Sequence, residues 1–420
     1  MQMLIDTHRA TWSIAALATS GVIIRPWHLP EAVWAVLGAA ALVGLGLLPW
    51  TVAAHAIGKG TDVYLFLTGM MLLAELARRE GLFDWLAALA AGRANGSARR
   101  LFGLIYGVGT VVTVFLSNDA TAVVLTPAVY AVTKAARVEP LPYLFVCAFI
   151  ANAASFVLPI SNPANLVIFG SSMPPLTVWL SQFALPSMLS IVATYAVLRL
   201  TQAPFLRQSV ATDIEVPALS RGGRMTAYGI SGTALALLIA SARDTQLGFP
   251  TCLAGCITAA IVLLHKRESP WPVVKGVSWS VLPLVAGLFV LVEGLEQTGI
   301  LRSLSAVLNS AAEHSAAGAA WGAGIMLALG CNVMNNLPAG LIAGATVRSA
   351  HASSQVIGAV LIGVDLGPNL SVTGSLATIL WLAALRREGQ AVSSGEFLRL
   401  GFVVMLPALL LALGGLVLSG

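Results

Sequence analysis

Two acids and a set of amides and hydroxyls stand out in this sequence because their neighbours are apolar. Ser117-Asn118-Asp119 interrupts the apolar run 101–134, and Asn335-Asn336 interrupts 318–350. A third cluster, Ser161, Asn162 and Asn165, is laced with Pro159 and Pro163. A fourth runs from Asp365 through Asn369 to Thr373, Gly374 and Ser375. Each amide offers a donor and an acceptor from one side chain, and hydroxyls do the same, so these groups can hold a ligand or satisfy freed backbone. Asp119 and Asp365 are the acids of the set. A carboxylic acid out of water favours its protonated form unless a cation or strong hydrogen bonds oppose it. That suits a group that takes up and releases protons.

The surroundings of these clusters are membrane-like. Of 420 residues, 57% are hydrophobic and 10% charged, against about 25% charged in a soluble domain. The 40 Gly and 20 Pro fit helices that pack closely and break at chosen points. About 17 to 25 apolar residues suffice for a crossing. About ten crossings are read near 11–24, 31–48, 62–77, 142–172, 176–200, 225–241, 249–265, 278–295, 353–385 and 396–418. The chain is thus predicted to be an all-α polytopic membrane protein. Two of the crossings carry the third and fourth clusters and must break there, since Pro removes a donor and clashes with the preceding turn. Unwound backbone at that depth is tolerated only beside protein or a water-filled cavity. The runs around the first two clusters are predicted to be re-entrant hairpins. Seventeen residues flank each side of the 117/118 junction, about 25 Å of helix, and both ends of the run are basic.

The positioning elements recur. Gly69, Glu75 and Gly81 return as Gly287, Glu293 and Gly299, and Asn118 as Asn336, all at a constant offset of 218. Such an offset predicts an internal repeat: residues 1–200, a polar linker at 201–224, and residues 225–420. With the Arg/Lys-rich linker placed in the cytoplasm, 18 of the basic residues fall inside and five outside. The crossing ending at Arg78-Arg79 then runs inward, while its counterpart ending at Glu296-Gln297 runs outward. Matching elements of opposite direction define inverted repeats, and paired breaks between them mark a binding site.

The hairpin and break motifs carry a resemblance. Ser117-Asn118-Asp119-Ala120-Thr121 and Ser161-Asn162-Pro163-Ala164-Asn165-Leu166 look like the ion-transporter superfamily. With Asn332-Val333-Met334-Asn335-Asn336-Leu337-Pro338, Gly367-Pro368-Asn369-Leu370 and Thr373-Gly374-Ser375-Leu376-Ala377, the chain resembles the ArsB arsenite efflux permeases. The resemblance implies export of arsenite and antimonite, the trivalent metalloid hydroxides, in exchange for protons, from a multi-pass position in the cell inner membrane. An ArsA-type ATPase on the cytoplasmic face is a partner the resemblance leaves open. The substrate would be held by Ser117, Asn118, Ser161, Asn162, Asn165, Asn335, Asn336, Asn369, Thr373, Gly374 and Ser375, and the proton by Asp119 or Asp365. A sodium/proton antiporter or organic-anion carrier on the same scaffold is the alternative. Ser-Asn-Thr tips, typical of the sodium-coupled dicarboxylate carriers, are replaced here by Asp119 and the Asn-Asn tip.

Other chemistry finds little support. Cys147, Cys252, Cys256 and Cys331 lie in apolar stretches, and only Cys331 is near a tip, so a three-thiolate cage for arsenic is not expected. Glu75 and Glu293 lie near helix ends, where a solvated or structural role is expected. The six histidines fall in or near loops without metal-ligand spacing, and neither HExxH nor GxSxG occurs. No cofactor, metal, nucleic acid or enzymatic activity is predicted.

Overall fold

The computed structural model describes residues 2–170, 173–211, 216–243 and 245–419, so 212–215 of the linker lie outside the described residues. The chain runs through α1 (Gln2–Ile24), α2 (Glu31–Gly44), α3 (Trp50–Lys59), α4 (Thr61–Arg79), α5 (Leu82–Gly92) and α6 (Ala98–Phe115). Then come the short α7 (Asn118–Ala120), a π-turn (Thr121–Leu125) and α8 (Thr126–Ala135). The helices α9 (Leu141–Ala153), α10 (Pro163–Phe169) and α11 (Leu176–Thr201) lead to the linker. Beyond it lie α12 (Arg221–Ala242), α13 (Gly248–Lys266), α14 (Trp271–Gly276), α15 (Val281–Gln297) and α16 (Ile300–His314). The chain ends with α17 (Ala316–Met334), α18 (Asn336–Ser349), α19 (Ser354–Leu366), α20 (Leu376–Arg387) and α21 (Ser394–Ser419).

Among the described residues, six helices are long and apolar enough to cross a membrane unaided: α6, α11, α12, α13, α17 and α21. Counting the bent pairs α3/α4 (47°) and α15/α16 (76°) as single spans raises this to eight. The ten crossings read from the sequence included the broken pairs α9/α10 and α19/α20. Their parts hold 13, 7, 13 and 12 residues, so the breaks themselves keep them below spanning length. The entering limbs of the two expected hairpins, α6 and α17, are each long enough to cross. After α6 the chain does fold back. Thr113 and Thr121 hydroxyls bond at 2.8 Å, and a side chain at Gly109 would meet Leu125 across the turn.

Close packing follows small residues, as it does between helices in lipid. Gly69 lets α4 lie against the backbone of Thr251 and Cys252 in α13. Gly287 does the same for α15 against Ala35 in α2, where a Cβ would come within 2.7 Å of backbone. Gly69 and Gly287 stand 218 positions apart in sequence, and the two helices that carry them, α4 and α15, run antiparallel. Lys59, just ahead of α4, pairs with Glu293 near the end of α15 at 2.8 Å. At the opposite end Glu75 of α4 lies beside Gly276, which precedes α15.

Buried indoles lock the broken segments, since a buried N–H needs an acceptor. Trp381 of α20 donates to Leu144 O in α9 at 2.9 Å, and Trp179 of α11 donates to Phe156 O in the first break at 3.2 Å. The linker is tied to the hairpin base: Val210 N donates to Gly96 O, and Ala211 N to Ala136 O.

Candidate functional site

Both tips and both breaks do one thing locally: each restarts a helix behind a polar cap. Ser117 Oγ accepts from Ala120 N at 3.1 Å, Asn162 Oδ1 from Ala164 N at 3.0 Å, and Ser375 Oγ from Thr378 N at 3.1 Å. Asn335 Oδ1 accepts from Leu337 N at 3.4 Å. Such side chains satisfy one of the four orphan donors at a helix start and leave others available. Asn335 takes φ 73°, ψ 153° to make its turn, a conformation that is almost confined to glycine and costs a non-glycine residue about 1–3 kcal/mol.

The four restarts converge. One cavity, with about 40 Å³ of space open to water, is lined by Asn118 and Asp119 of α7, Asn162 and Pro163, Asn335 and Asn336, and Ser375 with Leu376. Its opposite wall comes from the α1–α2 connection and from α4 and α15, through Arg25, Glu31, Leu67, Val281 and Leu288. Arg25 and Glu31 form an ion pair there. A larger vestibule of about 520 Å³ adjoins the cavity, and the two share Leu67, Asp119, Pro163, Val281 and Leu376. The vestibule reaches Arg387, Glu388 and the pair Glu75–Arg78, in which Arg78 donates to both carboxylate oxygens at 2.6 and 2.7 Å.

The residues singled out from sequence therefore divide. Asn118, Asp119, Asn162, Asn335, Asn336 and Ser375 line the cavity, and Ser117 lines the vestibule. Asp119 lines both, and its carboxylate has no hydrogen-bond partner among the described residues. Ser161, Asn165, Asn369, Thr373, Gly374 and Asp365 lie behind the wall. Ser161 donates to Val114 O at 3.0 Å, Asn165 to Ser155 O at 2.9 Å, and Thr373 to Asn332 O at 3.0 Å. Gly374 O accepts from Asn336 N at 2.8 Å, which fastens the second tip to the second break. The two breaks are bonded through Asn162 Nδ2, which donates to Asp365 Oδ1 at 2.8 Å, and Asn152 Nδ2, which donates to Asn369 Oδ1 at 3.0 Å. Asp365 is fully buried. Cys331 is also buried and does not reach the cavity.

The sequence reading gives no site role to Arg25, Glu31, Asn152 or Asn332. It counts Arg25 among the cytoplasmic basic residues, takes Glu31 as the start of a crossing and quotes Asn332 only within a motif. Asn152 is a lone amide within an apolar helix, and that isolation was the available signal.

Broken apolar helices that meet tip to tip at a polar cavity define a multi-pass membrane transporter. The chain belongs to the CitMHS family, described as citrate transporter, which matches residues 16–365. The resemblance to ArsB-type permeases holds over most of the chain. An "Arsenical pump membrane protein" of Yersinia enterocolitica is 30% identical over 369 residues, 83% of this chain and 84% of the relative. The protein of that name from Escherichia coli (strain K12) is 29% identical over 371 residues with the same coverage. Among solved structures, the Alcanivorax borkumensis YdaH transporter superposes with TM-score 0.55 at 17% identity, covering 88% of this chain and 87% of that one; at that identity the likeness concerns fold.

Proposed function

We propose that this chain exports arsenite and antimonite across the cell inner membrane in exchange for protons, by alternating access to the cavity between two inverted halves. The observation that carries the choice of substrate is the state of Arg25. It is the one arginine or lysine lining the cavity among the described residues, and Glu31 already neutralises it. A citrate carrier, the reading that the family description favours, needs uncompensated cations for its carboxylates. Arsenite near neutral pH is an uncharged trihydroxide and needs paired donors and acceptors instead. Asn118, Asn162, Asn335 and Asn336 supply both. The free amides at the four helix restarts add donors for substrate oxygens. The seven-residue α10 contributes its amides rather than an appreciable dipole.

Asp119 is the proton carrier in this scheme. A neutral substrate draws nothing from the membrane potential, so uphill export needs a coupled charge. With the vestibule facing the cytoplasm, ionised Asp119 accepts a hydrogen bond from a substrate hydroxyl. After the switch, a proton from outside takes that position and the substrate leaves. Asp365 is the second candidate, coupled to the cavity through Asn162. The close packing at Gly69 and Gly287, and the antiparallel course of α4 and α15, support inverted halves that rock against each other.

The test is uptake into proteoliposomes that hold the purified chain, with arsenite, antimonite, citrate and sodium offered separately under an imposed pH gradient. Accumulation of the two metalloids without sodium is expected. Citrate accumulation with no metalloid transport would falsify the reading.

A further inference from the structure

A second cluster of polar chemistry lies away from the cavity, where the hairpin base meets the last turn of α11. Arg93 caps the end of α5, Arg99 and Arg100 occupy the first turn of α6, and Arg199 lies in the last turn of α11. These arginines surround one groove of about 410 Å³ whose floor includes Gly103 and Tyr195. A contiguous groove of about 420 Å³ shares Arg99, Tyr195 and Arg199 and extends over Leu200. None of the four arginines forms an ion pair with a carboxylate among the described residues. The positive-inside tendency accounts for basic residues gathering at such an end. It does not account for four of them ringing one groove unpaired.

The groove is shaped around its charge. Arg199 Nη1 donates to Tyr195 Oη at 2.9 Å, and the guanidinium lies over the same ring at 5.8 Å from its centroid. That holds the fork in one orientation. A Cβ at Gly103 would come within 3.1 Å of Tyr195 Oη, so the missing side chain leaves the floor open. Next to the arginines the surface turns apolar: Leu200 is 74% exposed and Val192 57% exposed on α11, a helix apolar and long enough to cross a membrane. A ligand that fits both parts has a phosphate at one end and hydrocarbon at the other. Guanidinium forks match phosphate oxygens two at a time, and basic pockets at helix ends on the cytoplasmic side take up anionic headgroups.

We propose that this groove binds the headgroup of an anionic phospholipid, with the acyl chains lying along α11 past Leu200 and Val192. The site is independent of the transported substrate and ties the hairpin base to α11 through a lipid.

Thermal unfolding of the purified full chain in a neutral detergent tests it, with phosphatidylglycerol or cardiolipin added against phosphatidylcholine and inorganic phosphate. A saturable rise of the midpoint with the anionic lipids alone is expected, as for any ligand that binds only the folded state. The rise should vanish in Arg99→Gln/Arg199→Gln and persist in Arg221→Gln/Arg224→Gln, which removes the same charge from the start of α12. The four positions are exposed, so unliganded midpoints should stay close to the parent's. Native mass spectra should show a retained anionic lipid lost only from the first variant. An equal rise with inorganic phosphate, or an undiminished rise in Arg99→Gln/Arg199→Gln, overturns the proposal.

Discussion

Asp119 differs from every other acid among the described residues in facing both the cavity and the vestibule. Replacing it by Asn keeps shape and hydrogen bonding but removes titration. Asp119→Asn should abolish accumulation driven by a pH gradient while sparing exchange of labelled arsenite across a vesicle at equal pH. Asp365→Asn is the companion variant, and unchanged gradient-driven transport in both would exclude the two acids as the essential carriers. The wild type carries a sign as well. If substrate needs ionised Asp119, its apparent affinity must fall as pH drops. Glu31 makes a different prediction, about selectivity. Glu31→Gln frees the Arg25 guanidinium inside the cavity, so citrate should become an inhibitor of arsenite exchange. Adding Arg25→Gln should remove that inhibition. Citrate inhibition equal in all three proteins would detach the ion pair from substrate choice.

At the scale of elements, the turn at Asn335 is testable without any transport assay. Asn335→Val keeps the strained φ and loses both the cap on Leu337 N and the amide bond to Thr373 O, so it should lower folded stability by about 1–3 kcal/mol. Asn335→Gly removes the strain, about 1–3 kcal/mol, but forfeits the same two bonds, each worth about 1 kcal/mol, so its unfolding midpoint should stay near the parent's. The tips and breaks were legible in sequence because a polar cluster or a proline pair inside an apolar run is costly in lipid unless the helix opens there onto protein or water. What lay at the cavity and what lay behind it was not legible. Asn162 and Asn165 are three residues apart with the same side chain, yet one lines the cavity and the other braces Ser155 O. Only the geometry of the restart separates them. Arg25 and Glu31 were invisible for the opposite reason, since tertiary packing of α1 and α2 against α15 brings a connection to the site. The broken crossings α9/α10 and α19/α20 fall short of spanning length piece by piece, because composition is continuous through a break and helix length is not.

For the whole molecule, orientation is open to a direct test. The charge reading places the vestibule mouth, at Arg78 and Arg387, and the linker on the same cytoplasmic side. In a chain with its four cysteines replaced, Gln208→Cys and Ala383→Cys should react with an impermeant maleimide in inverted vesicles and stay unlabelled in intact cells. Labelling of Gln208→Cys from outside would reverse the orientation and with it the direction of transport. The four capped restarts also bear on descent. Their caps and free amides belong to the backbone turn, while Arg25, Glu31 and the apolar residues of α15 belong to the facing wall. A lineage can therefore vary the charge and size of the cavity from one side while the capped turns keep their backbone geometry.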